Sequence, residues 1–492
     1  MQAAATPRHG GLRSRRDVAA DVIHVMCRAK EQRENRLMGM AGSGGATRRF
    51  ATNYGMLGVL ALLCLIFSWV TVQEQDRTGS DAAAYLARGL AHGAPKSSKI
   101  LIVAKTGQED ARFADALEAA LKQDGFRVAG KVQGGPREAK KALQEIADAG
   151  GGLDIIATTR ECADWQVVAA AGQTIPALAG VKVSVAPAYT WPTFLKTENL
   201  LNVANQIVVI AVIAIGMTMV IITGGIDLSV GSLVALSAVV AAWLIARWGG
   251  EGATPAAMVL ASLSAIVACG MVGLFSGAVI TLFRIPPFIA TLAMMLVASG
   301  LAFSLAQGQS IYQIPDSFTW LGRGADLLGI PNAVILMIAL YAAAWVLMSR
   351  TVLGRYIYAV GGNPEATRLS GIRVRGVLLF VYVVSGLAAG LGGVVTASQL
   401  KSGAPTYGQM YELYVIAAVV VGGTSLAGGE GKVLGTLIGA LIIAVIWNGM
   451  NLTHVESYTQ KIILGMVILA AVLLDSLKTR SWPWRSLRRP ST

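Results

Sequence analysis

Two short stretches of the sequence are spaced like the glycine-rich loop with which many ATPases hold the phosphates of ATP. That loop has a glycine, four further residues, Gly-Lys, and then a Ser or Thr that binds magnesium. Gly125–Val132 (GFRVAGKV) has this spacing but ends in valine, and its first glycine opens a predicted strand. Gly428–Val433 (GGEGKV) also ends in valine, and Leu426 occupies the place of the leading glycine. The sequence therefore predicts no nucleotide hydrolysis and no catalytic residue.

Metal chemistry is not expected either. The cysteines and histidines are scattered along the chain and lack the close spacing of metal ligands. They are Cys27, Cys64, Cys162, Cys269, His9, His24, His92 and His454. We therefore expect neither a metal site nor a cofactor in this chain.

The composition is that of a membrane protein. Of the 492 residues, 54% are hydrophobic and only 14% are charged, whereas about a quarter is usual in soluble domains. The net charge of +13 divides into +6 for residues 1–53, zero for 73–199 and +7 for 200–492. Basic residues beside hydrophobic spans orient a chain in lipid. Nucleic-acid binding would require a basic face within a folded domain, so we expect none.

Two glycine pairs interrupt the hydrophobic pattern, one in Val220–Ser237 and one in Val419–Gly439. Glycine at membrane depth permits broken or re-entrant helices, whose free backbone groups are available to a solute. The alternative is close helix packing through small residues. The residues assigned to these breaks and to a translocation path are Gly224, Gly225, Asp227, Ser229, Gly231, Gly422, Gly423, Thr424 and Ser425.

Ionisable residues are almost absent from the predicted spans. Proton- or sodium-coupled transporters usually place such residues within the membrane. Here Asp227 and Glu412 are expected at span ends, and Asp475 closes the last span. Coupling to protons or sodium is therefore not favoured, and an uncharged path suits a neutral polar solute.

A third feature is the basic loop Gly354–Val374 (GRYIYAVGGNPEATRLSGIRV). Asn363 before Pro364, followed by Glu365, is a typical helix start. A short basic helix of this kind could insert into a soluble partner and transmit force. The alternative is an ordinary positive loop at the inner membrane face.

Hydrophobic segments long enough to cross lipid position these features. The first, 54–72, is interpreted as an uncleaved helix, because more than fifty residues precede it and no cleavage site follows. Nine more are predicted at 203–222, 230–248, 256–282, 287–306, 332–349, 377–397, 411–427, 434–450 and 460–475. With a cytoplasmic N-terminus, twelve Lys and Arg after residue 200 lie inside and four outside. This asymmetry predicts a multi-pass protein of the inner membrane with both termini in the cytoplasm.

Residues between the first two spans alternate between strand and helix patterns. Strands are predicted at Lys99–Ala104 (KILIVA), Phe126–Val132 and Leu153–Thr158, with an edge strand at Val181–Val185. Helices are predicted at Glu109–Lys122 and Pro136–Ala149. This alternation predicts a small parallel α/β domain outside the cytoplasm. We expect residues 96–190 to fold independently.

Four ordered motifs give the chain a family resemblance. GGIDLSVGS, IPPFIATLAMM, GRYIYAVGGNPEATRLSGI and GGTSLAGGEGKVLGTLIGALI together resemble the ribose-type monosaccharide ABC permeases. The resemblance implies a dimeric pore in lipid, a cytoplasmic ABC ATPase that uses ATP and Mg, and an extracytoplasmic solute-binding protein. It also implies that a cytoplasmic loop docks on the ATPase. The residues that match this coupling loop are Gly362, Asn363, Glu365, Ala366, Arg368 and Gly371.

The insertion is the departure from that family, and it looks like one lobe of a periplasmic sugar-binding protein. Such proteins clamp their ligand between two lobes, so we expect one lobe to bind a sugar weakly or not at all; a purely structural domain is the alternative. The predicted domains are a basic cytoplasmic segment (1–53), the first helix (54–72), the extracytoplasmic α/β insertion (73–190), a helical permease core (191–476) and a basic cytoplasmic tail (477–492). The overall prediction is an α-helical polytopic membrane protein with about ten transmembrane helices. The alternatives are a permease for branched amino acids or nucleosides, and a membrane-anchored sensor or assembly protein.

Overall fold

The computed structural model describes residues 45–150 and 152–479. Internal contacts divide the chain into two units, with the boundaries after Val70 and after Thr193. The α/β unit comprises Thr71–Thr193, and the helical unit comprises the rest. The predicted cytoplasmic segment and tail lie outside the described residues, except for 45–53 and 477–479.

The α/β unit follows helix α1 (Gly45–Val70) and contains six strands and six helices. In chain order these are β1 (Val72–Gln75), α2 (Gly79–Gly93), β2 (Lys99–Ala104), α3 (Gln108–Gln123), β3 (Arg127–Gln133), α4 (Pro136–Asp148), β4 (Ile155–Thr158), α5 (Arg160–Ala163), α6 (Gln166–Ala169), α7 (Ala171–Thr174), β5 (Lys182–Val185) and β6 (Tyr189–Pro192). The strands and helices predicted from the alternating pattern are present, with ends shifted by one or two residues.

Four strands form a parallel sheet in the order β3-β2-β4-β5. Successive residues of a strand point to opposite faces, and β2 is hydrophobic on both. Ile100 and Ile102 pack with Phe113 and Leu117 on one face. Leu101 packs with Leu143 and other residues on the opposite face. The continuous apolar run in β2 is thus explained by a strand that is buried on both sides.

Helix α2 is the main element that the sequence pattern did not reveal. Its buried face consists largely of alanine, with Leu86 and Leu90, and it packs on the same side of the sheet as α3. The predicted independent fragment 96–190 omits this helix, which would expose part of the sheet face that α2 shares with α3. The unit is complete only from Thr71, where antiparallel pairing of β1 with β6 brings its two ends side by side.

The helical unit contains thirteen helices, counting α1, among the described residues. After α1 they are α8 (Thr197–Ile222), α9 (Val230–Arg247), α10 (Pro255–Phe283), α11 (Pro287–Ala306), α12 (Trp320–Arg323), α13 (Asn332–Arg350), α14 (Val352–Gly362), α15 (Pro364–Leu369), α16 (Val374–Leu400), α17 (Tyr411–Val421), α18 (Val433–Leu452) and α19 (Ser457–Thr479). Every predicted span falls on one of them.

Seven of the described helices are long and apolar enough to cross a membrane, namely α8, α9, α10, α11, α13, α16 and α18. Shorter apolar stretches occupy Gly55–Val70, Tyr411–Val421 and Ser457–Ala470. The predicted span 411–427 is wrong at its end, because the helix stops at Val421 and Gly423 has φ +82°. A positive φ of this size favours glycine and ends a right-handed helix.

Helix α16 lies at the centre of this unit and approaches its neighbours through glycine. A Cβ on Gly390 would lie 2.9 Å from the Cα of Ile266 in α10. A Cβ on Gly393 would lie 2.5 Å from the Val234 carbonyl oxygen in α9. Helices in lipid associate closely where small residues let their backbones meet. Glycine in α16 therefore serves close packing of helices.

Candidate functional site

The first glycine break turns the chain back between α8 and α9. Gly224 has φ +78°, and its N–H donates to the Ile221 carbonyl at 2.9 Å, as at many helix ends. Gly225 follows with an N–H···O bond of 3.0 Å to Val220. The next residues are not helical until α9 starts at Val230. The predicted interruption is therefore present, and it lies between two buried helices.

Asp227 is the centre of a buried polar cluster in this break. It lies between the end of α8 at Ile222 and the start of α9 at Val230, as expected for an ionisable residue at a span end, and it is 1% exposed. One carboxylate oxygen accepts from the Ser229 N–H at 3.0 Å and from the Ser229 hydroxyl at 2.6 Å. The other accepts from the Ser385 hydroxyl of α16 at 2.7 Å. Asp227, to which Ser229 is bonded, thus fastens the break to α16. The role of both residues in a translocation path remains a prediction.

Two further hydroxyl side chains complete this cluster. Thr291 of α11 accepts from the Leu228 N–H and donates to the Ile226 carbonyl, both at 3.1 Å. The Tyr382 hydroxyl is buried and has no hydrogen-bond partner among the described residues. A Cβ on Gly225 would lie 2.5 Å from that hydroxyl, so glycine is needed there. Sequence reasoning missed Ser385, Tyr382 and Thr291, because nothing local marks them as neighbours of Asp227.

The second glycine break lies against the end of α8. The Gly429 N–H donates to the Ile222 carbonyl at 2.8 Å, and the Tyr358 hydroxyl of α14 donates to the Gly431 carbonyl at 2.8 Å. A Cβ on Gly428 would lie 3.1 Å from the Gly224 N, so the two breaks meet at their backbones. The two breaks are therefore neighbours at this one point.

The residues predicted within the second break lie apart from Asp227. A Cβ on Gly422 would lie 2.6 Å from the Gly435 carbonyl oxygen, and one on Gly423 would contact Met56 of α1. Thr424 is fully buried, and its hydroxyl lacks a partner among the described residues. Ser425 caps the turn by accepting from the Ala427 N–H at 3.3 Å. Their role in a translocation path remains a prediction.

A cavity of about 300 Å³ lies beside α9, where the non-helical segment 401–410 passes this helix. After α16 the chain runs without helix from Lys401 to Met410 and then forms the short helix α17. Gly408 has φ +70° and lies against the backbone of Gly231, where a Cβ on Gly231 would meet the Gly408 carbonyl at 2.5 Å. Beside this crossing, polar side chains line the cavity, namely Ser232, Ser299, Tyr407, Gln409 and Glu412. Of the predicted path residues, Gly231 alone lines it.

The predicted coupling loop is formed by the end of α14 and by α15. Asn363 caps α15 by accepting from the Ala366 N–H at 3.0 Å, which confirms the predicted helix start. Glu365 and Arg368 form an ion pair of 2.9 Å, with side chains 75% and 64% exposed. Gly362 ends α14, and Gly371, with φ +83°, follows α15. The six predicted residues are therefore brought together on one surface turn.

Sequence reasoning missed an apolar side chain on the same turn. Leu369, the last residue of α15, is 83% exposed. Thr367 points inward and donates to the Ala359 carbonyl at 2.8 Å, which fixes α15 against α14. Leu369 and the Glu365–Arg368 ion pair are therefore exposed on the same short helix.

The two sequences that resemble an ATPase loop are used differently. Gly125 has φ +84° and leads into strand β3, where Lys131 pairs with Asp115 at 2.8 Å and with Glu118 at 2.7 Å. Gly428–Val433 belongs to the second glycine break.

Among the described residues, no group of three His, Cys, Asp or Glu side chains could hold a metal ion.

Known proteins resemble this chain over its helical unit. A family model described as branched-chain amino acid transport system / permease component matches residues 199–472. The ribose import permease of Escherichia coli K12 is 46% identical over 292 residues, which are 58% of this chain and 88% of that protein. The ribose import permease of Bacillus subtilis is 44% identical over 290 residues, with shares of 58% and 88%. The galactose/methyl galactoside import permease of E. coli K12 is 40% identical over 300 residues, with shares of 58% and 89%. No solved structure matches.

Proposed function

Because the chain belongs to the family of branched-chain amino acid transport system permease components, we propose that it forms the membrane path of an ATP-driven sugar importer. The observation that carries this proposal is the identity of 40–46% to permeases named for ribose and galactose. These matches confirm the resemblance that the four ordered motifs indicated. A monosaccharide is therefore favoured over a branched amino acid or a nucleoside.

The chemistry of the cavity supports a neutral solute. None of its lining residues is Lys, Arg or His, whereas an amino acid would need a partner for its carboxylate. Hydroxyl, amide and carboxylate groups can all bind sugar hydroxyls. A cavity of about 300 Å³ is also at the small end of ligand sites.

The energy for transport comes from a separate cytoplasmic ABC ATPase, which binds ATP and Mg. An extracytoplasmic solute-binding protein delivers the sugar, and a second copy of this chain completes the pore. Support for these partners comes from the family and from the lack of a complete ATPase loop in the sequence. The apolar side chains exposed on α10 and α11, such as Phe275 and Leu301, suit contact with lipid or with the second copy.

The proposed orientation places both termini in the cytoplasm. The ATPase would then dock on the turn formed by α14 and α15, and the α/β unit would lie outside the cytoplasm. Twelve basic residues inside against four outside support this topology. Cysteines introduced at exposed positions of the α/β unit and of the turn should react with impermeant reagents from opposite sides. Reaction from the same side would contradict this orientation.

Transport itself is tested with the full chain. The tagged chain is purified from its source organism together with its partners and is placed in liposomes. ATP inside the liposomes and binding protein outside should support accumulation of labelled ribose or galactose, and omission of ATP should abolish it. Labelled leucine is the matched control and should not accumulate. Accumulation of leucine without any sugar would refute the proposal.

A further inference from the structure

The cavity beside the Gly231–Gly408 crossing is built by parts of the chain that are far apart in sequence. Ser232 is on the first turn of α9, Ser299 is on α11, and Glu412 is on the first turn of α17. Gln409 and Tyr407 come from the non-helical segment before α17. A cavity with polar groups converging from three helices and a non-helical segment is the usual form of a small-ligand site.

Glu412 is the one ionisable acid of this lining, and it is half-buried. No Lys, Arg or His of the described chain lies within ion-pair distance of its carboxylate. The carboxylate lies against Gly231, where any side chain would overlap one of its oxygens. The carboxylate accepts a hydrogen bond from its own backbone N–H, and its two oxygens can accept further hydrogen bonds from a ligand.

We infer that this cavity is the sugar-contact site of the path, in which Glu412 accepts hydrogen bonds from two hydroxyl groups of a neutral polyhydroxylated solute. Ser232, Ser299 and Gln409 supply further donors and acceptors around it. The inference rests on the proposed function. It goes beyond that function by naming the residues that contact the sugar.

The charge of the site also sets what it rejects. Glu412 would repel a sugar phosphate, and no lining cation would compensate the phosphate charge. A zwitterionic amino acid would likewise lack a partner for its carboxylate. The site therefore accepts uncharged sugars and discriminates against phosphorylated ones.

The first experiment compares Glu412→Gln with the unaltered chain in the liposome assay at saturating binding protein. Glutamine keeps the size of the side chain but loses the charge that strengthens hydrogen bonds to hydroxyl groups. Sugar accumulation should fall about tenfold to a hundredfold. Co-purification of the partners, measured in parallel, should stay unchanged, because Glu412 forms no ion pair with the described residues and glutamine can keep the hydrogen bond from its own backbone N–H.

The second experiment asks whether the cavity is part of a watery path. Ser299→Cys should react with a hydrophilic thiol reagent, and the reaction should block sugar accumulation. Ser304→Cys, on the same helix and outside the cavity lining, is the matched control. Its sugar accumulation should be unchanged after treatment with the reagent. Unaltered chain treated with the reagent controls for the natural cysteines.

The two hypotheses fail in different ways. If the unaltered chain accumulates no sugar, the proposed function is wrong. If it accumulates sugar while Glu412→Gln stays within twofold of it, or while Ser299→Cys resists the reagent, the function stands and this contact site is wrong.

Discussion

The buried carboxylate of Asp227 provides the sharpest test of how the first glycine break is held. Replacing Asp227 with alanine removes both oxygens, which accept three hydrogen bonds of 2.6–3.0 Å. The side chain is 1% exposed, so water does not readily replace the lost acceptor. The donors left behind are the Ser229 N–H, the Ser229 hydroxyl and the Ser385 hydroxyl.

The expected loss of stability follows from these three donors. Leaving a buried donor unpaired costs about 1–3 kcal/mol. The two hydroxyl groups can rotate towards other acceptors, whereas the Ser229 N–H is fixed by the backbone. Removing a buried charge also recovers part of its desolvation cost. We therefore expect Asp227→Ala to lower the free energy of unfolding by about 2–4 kcal/mol.

Asp227→Asn is the matched control, because the amide oxygen can keep both bonds from Ser229. Its NH₂ group can donate to the Ser385 hydroxyl, which also accepts hydrogen bonds. We expect a loss of at most about 1 kcal/mol for this variant. Ser385→Ala should cost about as much as one hydrogen bond, and it should add little to Asp227→Ala because the two residues share that bond.

The measurement is the melting temperature of each full-length variant in detergent, read from the fraction that remains monodisperse after heating. The expected order of stability is unaltered chain, asparagine variant and alanine variant. An alanine variant as stable as the unaltered chain would refute the role of Asp227 as a hydrogen-bonding centre. An asparagine variant as unstable as alanine would show that the negative charge itself is required.

Three further predictions concern other parts of the chain. Gly361→Ala should lower the melting temperature, at a cost of about 1–3 kcal/mol, because the new Cβ would overlap the carbonyl at the end of α8. Gly362→Ala meets nothing within 4 Å and should melt like the unaltered chain. Alanine at both Glu365 and Arg368 should reduce the ATPase that co-purifies with the chain but not its melting temperature, since exposed ion pairs contribute about 0–1 kcal/mol; unchanged co-purification would return this turn to an ordinary surface loop. Hydrogen bonds from two lysines lower the pKa of Glu118 to about 2, from 4.5. The stability that this contact adds to the α/β unit should be present above pH 4.5 and lost as the pH falls towards 2. In Glu118→Gln, the melting temperature should lack this part of its decrease between pH 4.5 and pH 2.

Local patterns were sufficient to predict most helices and strands. The KILIVA run predicted a buried strand because a central parallel strand is hydrophobic on both faces, and β2 has the predicted bounds. Helix α2 was missed because its buried face is mainly alanine, which gives a weak hydrophobic signal next to Leu86 and Leu90. The end of the span at 411–427 was wrong because its apolar composition continued past the point where Gly423 ends the helix.

The candidate site was only partly predictable, because its contacts join distant residues. Glycine pairs correctly indicated irregular backbone, and Asn363 correctly indicated a helix start. The bond between Asp227 and Ser385 spans 158 residues of sequence, and no local pattern announces it. The same holds for the cavity, where Glu412, Ser232 and Ser299 line one space only because three helices pack together.

The non-helical segments 223–229 and 401–410 explain why such a cavity can exist within a bundle of apolar helices. Gly231 and Gly408 bring two backbones into direct contact, so no side chains fill the space at their crossing. Helices α9 and α17 both start beside this contact, and their first turns present Ser232 and Glu412 to the cavity. Continuous helices would instead hold their backbone groups inside and would place apolar side chains at this depth. Gly231 and Gly408 therefore have two effects. They permit a non-helical segment to cross α9, and they leave room for polar side chains beside the crossing. The hydrogen bond between Asp227 and Ser385 holds the start of α9 in this position. The shape of the proposed sugar-contact site therefore depends on the stability of the first glycine break.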